Sequence, residues 1–95
     1  MNRTELTACI AELAALRYTP AGLPALDLVL EHAGQASEAG QTRQVQLRIR
    51  ALALGTQAER LARQEIGSPW RFQGFLATPR HGKSVVLHIQ EFQQD

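Results

Sequence analysis

The chemistry this chain can perform is dominated by one group, the guanidinium. Nine of its ten cationic side chains are arginine, and Lys83 is the one lysine. Arginine's planar fork meets two phosphate oxygens at once and also stacks on a base, so an arginine-weighted surface suits a phosphate backbone. The arginines are unevenly spread. From Ala39 to Ala58 there is no acid, while Arg43, Arg48 and Arg50 are present; from Ile66 to Gln90 there is again none, while Arg71, Arg80 and Lys83 are present. Residues 1–38 balance the other way, with Glu5, Glu12, Asp27, Glu31 and Glu38 against Arg3 and Arg17. A formal net charge of +1 argues against holding nucleic acid by bulk charge, yet it conceals two basic stretches. These make one basic face if the fold brings them together.

Other chemistries find little support. His32, His81 and His88 lie on three separate segments without ligand spacing, so no metal site is expected. Cys9 stands alone, which excludes an internal disulfide and reads as a small buried hydrophobe. No phosphate loop, Gly-x-Gly-x-x-Gly or Gly-x-Ser-x-Gly occurs, and no carboxylate pair stands out, so neither an enzyme nor a cofactor is expected. At 95 residues the chain reads as one domain, 1–95, and its composition (44% apolar, 20% charged) is that of a globular protein. A chain this small buries only about 60–65% of its unfolded surface, so a partner subunit would add stability. Apolar runs are too short to cross a bilayer, and Met1 to Glu5 lack the shape of a secretion signal, which makes the cytoplasm the expected compartment.

The elements that must position the arginines follow from periodicity. Thr4 to Leu16 is ambiguous: Leu6, Ile10 and Leu13 fit helical spacing, while Leu6, Ala8 and Ile10 alternate as in a strand. Tyr18 to Pro24 is a turn, with two prolines and Gly22. Ala25 to His32 reads as a strand with Leu26, Leu28 and Leu30 on one face and Asp27, Val29 and Glu31 on the other. Ala33 to Gln41, rich in glycine and small polar residues, reads as a flexible loop. In Arg43 to Leu54, Val45, Leu47 and Ile49 mark the core face and Gln46, Arg48 and Arg50 the outer one. Leu52 and Leu54 then share the outer parity, implying a bulge or a covered patch. Thr56-Gln57-Ala58-Glu59 matches a capping box, with Thr56 as N-cap, opening a helix that Gly67 ends. Trp70 to Ala77 and Ser84 to Phe92 read as two further strands. Trp70, Phe72 and Phe75 are expected in the core, and His32 and His88 as structural hydrogen-bonding groups. Val86 and Phe92 lie on the opposite parity from Val85, Leu87 and Ile89, so both faces of the last strand are expected to be covered, by a dimer contact or a packed barrel end.

With the first segment as a strand, the order is β-β-β-α-β-β. The fold class expected is all-β: a five-stranded OB barrel with one short α-helix between strands three and four. Such barrels bind single strands across strands two and three, flanked by the loops joining strands one to two and four to five. Those places hold Arg17 and Tyr18, then Arg43, Arg48 and Arg50, then Arg80, His81 and Lys83. The plainer reading of each is a solvated strand face or a polar hairpin loop, and Tyr18 either stacks on a base or packs on the barrel end.

Leu16-Arg17-Tyr18-Thr19-Pro20-Ala21-Gly22-Leu23-Pro24 followed by Val29-Leu30-Glu31-His32 resembles the primosomal replication protein N (PriB) family. So do Glu38-Ala39-Gly40, Arg43-Gln44, Gln73-Gly74-Phe75 and Val86-Leu87-His88. The match runs in order over nearly the whole chain, with one short deletion in the last hairpin loop, and the Arg-Tyr-Thr-Pro stretch also resembles bacterial single-stranded DNA-binding proteins. The resemblance implies an OB-fold homodimer, without a catalytic centre, that binds single-stranded DNA and the restart helicase PriA and contacts DnaT. It also implies that Arg17 and Tyr18, and Arg80, His81 and Lys83, lie in DNA- and helicase-contacting segments. Two departures matter. Where better-known members carry base-stacking aromatics, this chain has Gln41 and Gln46, and Tyr18 stands where a lysine is common. Each lost platform is worth about 1–3 kcal/mol, so weak DNA binding and reliance on the protein partner are expected. The alternative is a protein-interaction OB module that has largely lost nucleic-acid binding.

Overall fold

A computed structural model describes residues 1–95. Six strands and one helix follow in the order β1 (Thr4–Leu13), β2 (Arg17–Tyr18), β3 (Pro24–Glu38), β4 (Gln41–Leu54), α1 (Thr56–Ala62), β5 (Pro69–Ala77) and β6 (Val86–Gln93). Five of the strands close a ring of pairings. β1 pairs with β5, β5 with β6, β6 with β4, β4 with β3, and β3 returns to β1. Every junction is antiparallel except β4–β6, which is parallel. The two-residue β2 adds only to the start of β3, through Arg17 opposite Ala25 and Tyr18 opposite Pro24.

The ring encloses one apolar core. Ile10, Leu26, Leu30, Phe72 and Leu87 are fully buried, and α1 contributes Ala58 and Leu61 to the same cluster. Phe92 stacks at 6.3 Å on Phe72 and meets Trp70 edge-on at 5.1 Å, a geometry that suits the ring quadrupoles. Small residues fill the β4 side, where Ala51 and Ala53 are buried. Asn2 extends the β1–β5 ladder with its side chain, donating to the Leu76 carbonyl (2.6 Å) and accepting from the Leu76 N–H (3.0 Å).

Two bulges keep the strands facing this core while they bend. In β1 the register steps from Ile10 opposite Leu30 to Glu12 opposite Val29, leaving Ala11 as the extra residue. Ile10 and Leu13 therefore both face the core, and Glu12 turns outward, exposed. In β6 the register steps from Gly74 opposite Ile89 to Gln73 opposite Glu91, with Gln90 extra, which returns Phe92 to the interior. The second bulge corrects the expectation for Phe92, while Val86 keeps the outward parity and is half-buried. Phe92 is a core residue brought round by one extra position, and Val85 lies before the strand, 47% exposed.

Several other expectations are corrected. Ala33 to Gln41 is not a flexible loop: β3 and β4 continue pairing out to Glu38 opposite Gln41. Only Ala39 and Gly40 form the turn, both with positive φ (51° and 78°), as the tight turns that match strand twist require. The small residues there have poor strand propensity, but each is paired with a residue across the ladder, and alternate pairs exchange backbone hydrogen bonds. The hairpin projects as an arm, and the radius of gyration is 14.0 Å against about 12 Å for a compact chain of this length. Val45 is only half-buried and Leu47 is 38% exposed, so on β4 the core face begins at Ile49 and continues unbroken through Ala51 and Ala53. Of the two alternatives at Leu52 and Leu54, the bulge does not occur, since the β3–β4 register is unbroken. Leu52 and Leu54 are outward residues, half-buried and exposed.

Thr56 is the first helical residue rather than its cap. The cap is Gly55, at φ 67°, whose N–H donates to the Pro24 carbonyl at 2.8 Å, and no side chain caps the helix. The helix ends at Ala62, not Gly67, because after Ala58 and Leu61 the next turn offers only Glu65 to the core side. Phe72 lies in the core as expected, but Phe75 lies outside the ring, stacked on His88 with centroids 4.8 Å apart. Cys9 is half-buried rather than buried.

Gly74 is required by space rather than by backbone conformation. A Cβ there would lie 1.8 Å from the His88 carbonyl oxygen, so the β5–β6 ladder beside the bulge closes only on a hydrogen. Gly74→Ala is expected to lower unfolding free energy by about 2 kcal/mol or more in urea denaturation, as overpacking against backbone does. Gly40→Ala, with open space around it, is expected to cost only about 1 kcal/mol.

Candidate nucleic-acid interface

The outer face of β3 and β4 carries most of the arginines singled out above. Alternation points Arg48 and Arg50 away from the core, opposite Glu31 and Val29 respectively. Beside them a groove of about 410 Å³ runs between the ends of β1 and β6, lined by Glu12, Val29, Arg50, Val86 and Pro79. Pro79 opens the β5–β6 connection, and the Gly82 N–H closes a turn onto its carbonyl at 3.0 Å. Arg80, His81 and Lys83, all exposed, therefore belong to a loop that borders the Arg50 end of the face.

At the other border, Thr19 closes the turn after β2. It donates its N–H to the Leu23 carbonyl (2.9 Å), and its hydroxyl accepts from the Leu23 N–H (3.1 Å). Gly22 takes φ 85° inside that turn. Tyr18 is 64% exposed there, open to solvent rather than packed on the barrel end. Gln46 lies outward on β4 opposite Ala33, and Gln41 sits at the hairpin turn, so both positions of the absent aromatics are exposed.

Arg43 does not join the face. It has the parity of Val45 and Leu47, opposite to Arg48 and Arg50, and its Nε lies 3.0 Å from Glu38 at the tip of the arm. Arg71 of the second acid-free stretch is also elsewhere, between Glu5 and Asp95 at 3.6 and 3.8 Å.

The face is also far less basic than the sequence intervals imply. Arg17 holds Asp27 in a two-pronged pair (Nε–Oδ2 2.7 Å, Nη2–Oδ1 3.3 Å). That hydrogen bond, and then the carboxylate's charge, raise the Arg17 pKa further above its ordinary value, so the guanidinium stays ionised. Arg48 is held twice, its Nη2 at 2.5 Å from Glu12 on β1 and its Nη1 by Glu31 on β3. Among the face residues Arg50, Arg80 and Lys83 are the cations without a carboxylate partner. Glu12, Asp27 and Glu31 are the residues the sequence intervals missed. The signal for two of them was present, since Asp27 and Glu31 share the outward parity of β3.

The structure brings no three His, Cys, Asp or Glu side chains into a metal-holding group. His32 is structural, its Nδ1 donating to the Thr7 carbonyl at 2.6 Å while its ring covers Gly34.

Comparison with known proteins agrees with this architecture. A family model described as another single-strand binding protein family matches residues 2–91. The replication restart protein PriB of Bordetella pertussis is 48% identical over 92 residues, 96% of this chain and 86% of that protein. The chain belongs to the PriB family. The structure of PriB from Ralstonia solanacearum superposes with a TM-score of 0.91 at 40% identity, covering 99% of this chain and 97% of that one. The SSB domain of a Synechococcus protein, 21% identical, has the same fold with a TM-score of 0.74 over 99% of this chain and 96% of that one. The OB architecture, with its helix between β4 and β5, is therefore that of the PriB and SSB chains.

In this PriB-family chain the arginine–carboxylate pairs are half-exposed, so each contributes little to stability. A double-mutant cycle on Arg17→Ala and Asp27→Ala, read by urea denaturation, is expected to find the two substitutions nearly additive.

Proposed function

We propose that the chain acts in DNA replication restart as a non-enzymatic OB module that binds single-stranded DNA weakly and engages the helicase PriA, with DnaT as a further contact. The observation that carries this reading is Arg50, unpaired on the outer face of β4 beside a groove bordered by the Arg80–Lys83 loop. Membership of the PriB family, whose relatives are replication restart proteins, supports the replication-restart half.

The mechanism is electrostatic. Arg50, Arg80 and Lys83 neutralise phosphates of an extended strand lying across β3 and β4, with Tyr18 offering an exposed ring at one border. Arg17 and Arg48 contribute once a phosphate displaces their carboxylates, while His81 adds a hydrogen-bonding edge in the loop. Gln46 supplies polar contact where stacking is absent. Individually weak contacts to DNA and helicase retain the complex through effective concentration.

A homodimer fits the same reading. Thr4 to Ala8 of β1 pair only with β5, and the opposite edge is open except where His32 caps the Thr7 carbonyl. A second copy adding to that edge would pair its free backbone groups and lie beside Cys9. Light scattering at micromolar concentration is expected to give twice the chain mass, and a monomer contradicts the dimer.

Glutamines at positions 41 and 46, together with the carboxylate-bound arginines, favour the second reading, a protein-interaction module with little nucleic-acid binding. Anisotropy of a labelled oligothymidylate against salt separates the two. Three phosphate contacts give a log–log slope of about −2 for single strands. Arg50→Ala is expected to weaken binding severalfold and to flatten that slope by about 0.7. Gln46→Trp is expected to strengthen binding by about 5- to 150-fold by restoring one platform. Absence of binding at low salt removes the DNA role. If PriA ATPase stimulation then survives, the protein-interaction reading stands.

A further inference from the structure

We propose that Glu12 and Glu31 form a carboxylate latch on Arg48 that sets how tightly the face holds a phosphate backbone. The inference rests on the single-stranded DNA reading above and assigns a restraining role within it. Arg48 stands on the outward row of β4 between Arg50 and Gln46, so a strand leaving the Arg50 groove toward the arm passes over it. Its guanidinium is not free to meet that strand. Glu31, its direct cross-strand neighbour, takes one terminal nitrogen, and Glu12, one strand further, takes the other at 2.5 Å.

The second arm of the latch depends on the β1 bulge. With continuous pairing after Ile10, Ala11 would face outward opposite Val29 and Glu12 would point at the core. The extra residue turns Glu12 outward to Arg48 and lets Leu13 pack against the core in its place. Two carboxylates on one guanidinium leave this cluster with a net negative charge, so it repels phosphate while the latch is closed. A strand must displace both carboxylates, or pass over a patch that disfavours it. Arg50, two residues along the same row, has no such partner, which makes the two arginines internally matched cases.

The test uses the full chain and a fluorescein-labelled oligothymidylate, with circular dichroism to verify folding of each variant. Glu12→Gln/Glu31→Gln keeps the side-chain shape and is expected to bind about 5- to 20-fold more tightly, with the log–log salt slope steeper by about 0.7. Arg48→Ala in that background is expected to cancel the gain. In the wild-type chain the same change leaves Glu12 and Glu31 unpaired on the face and is expected to weaken binding by about two- to fivefold. Glu59→Gln/Glu91→Gln, which removes the same charge from residues not paired with the face, is expected to stay within about twofold of wild type. The latch is overturned if the Glu12/Glu31 variant shows no gain, if the control pair matches it, or if the gain persists without Arg48. The underlying reading fails separately, when Arg50→Ala and Lys83→Ala leave wild-type binding unchanged. Loss in those two with no gain in the latch variant keeps the DNA face and overturns the latch alone. No binding by wild type and latch variant alike overturns both.

Discussion

Closing five strands into a ring of this size requires each strand to bend sharply without turning its apolar side chains away from a small shared interior. Regular alternation fails at that point, because a bent strand in strict register loses its place on its neighbour. One extra residue at Ala11 and another at Gln90 restore it. Ile10 and Leu13, and likewise Ile89 and Phe92, then reach the same core from positions three apart. Phe92 is where this matters most, since Phe72, Trp70 and α1 all meet it there, and the Arg60 guanidinium lies 4.6 Å over its ring.

The same geometry decides the electrostatics of the outer face. The acids of residues 1–38 lie on β1 and β3, and the basic residues of the acid-free stretch 39–58 lie on β4. Because β3 is flanked by β1 on one edge and β4 on the other, the two populations interleave. Carboxylate and guanidinium meet at cross-strand distance, so a surface that is basic along the chain is close to neutral in space. What escapes compensation is Arg50, whose cross-strand neighbour on β3 is Val29 rather than an acid, and the β5–β6 loop.

Much of the fold was legible in the sequence because period two is strong where strands are straight. Leu26, Leu28 and Leu30 identify β3, and the element order identifies the OB class. Ambiguity arose where bulges act: Leu6, Ile10 and Leu13 mimic helical spacing because an extra residue stretches a two-residue step to three. The arm was unreadable for another reason. Ala33, Gly34, Ala36 and Ser37 carry no strand preference of their own, and their conformation comes from partners across the ladder. Gly55 as helix cap was hidden because its positive φ is imposed by a tie to Pro24, far away in sequence. Of the site, Arg48, Arg50 and the last hairpin loop were found by position in the fold. The pairs Arg48–Glu12 and Arg17–Asp27 depend on register, which intervals between charges along one chain do not encode.

The long β3–β4 hairpin also has a consequence for how the chain reaches this fold. It is the one large element whose two sides are neighbours in sequence, joined by a two-residue turn, so it can form as soon as its own residues exist. β1 is in the opposite position. Its N-terminal half pairs only with Pro69 to Gly74, and the Asn2 side chain bonds the Leu76 backbone. The first strand made is therefore among the last to be completed. A nascent chain carries Leu6 and Ala8 on an unsatisfied strand until three-quarters of its length has emerged.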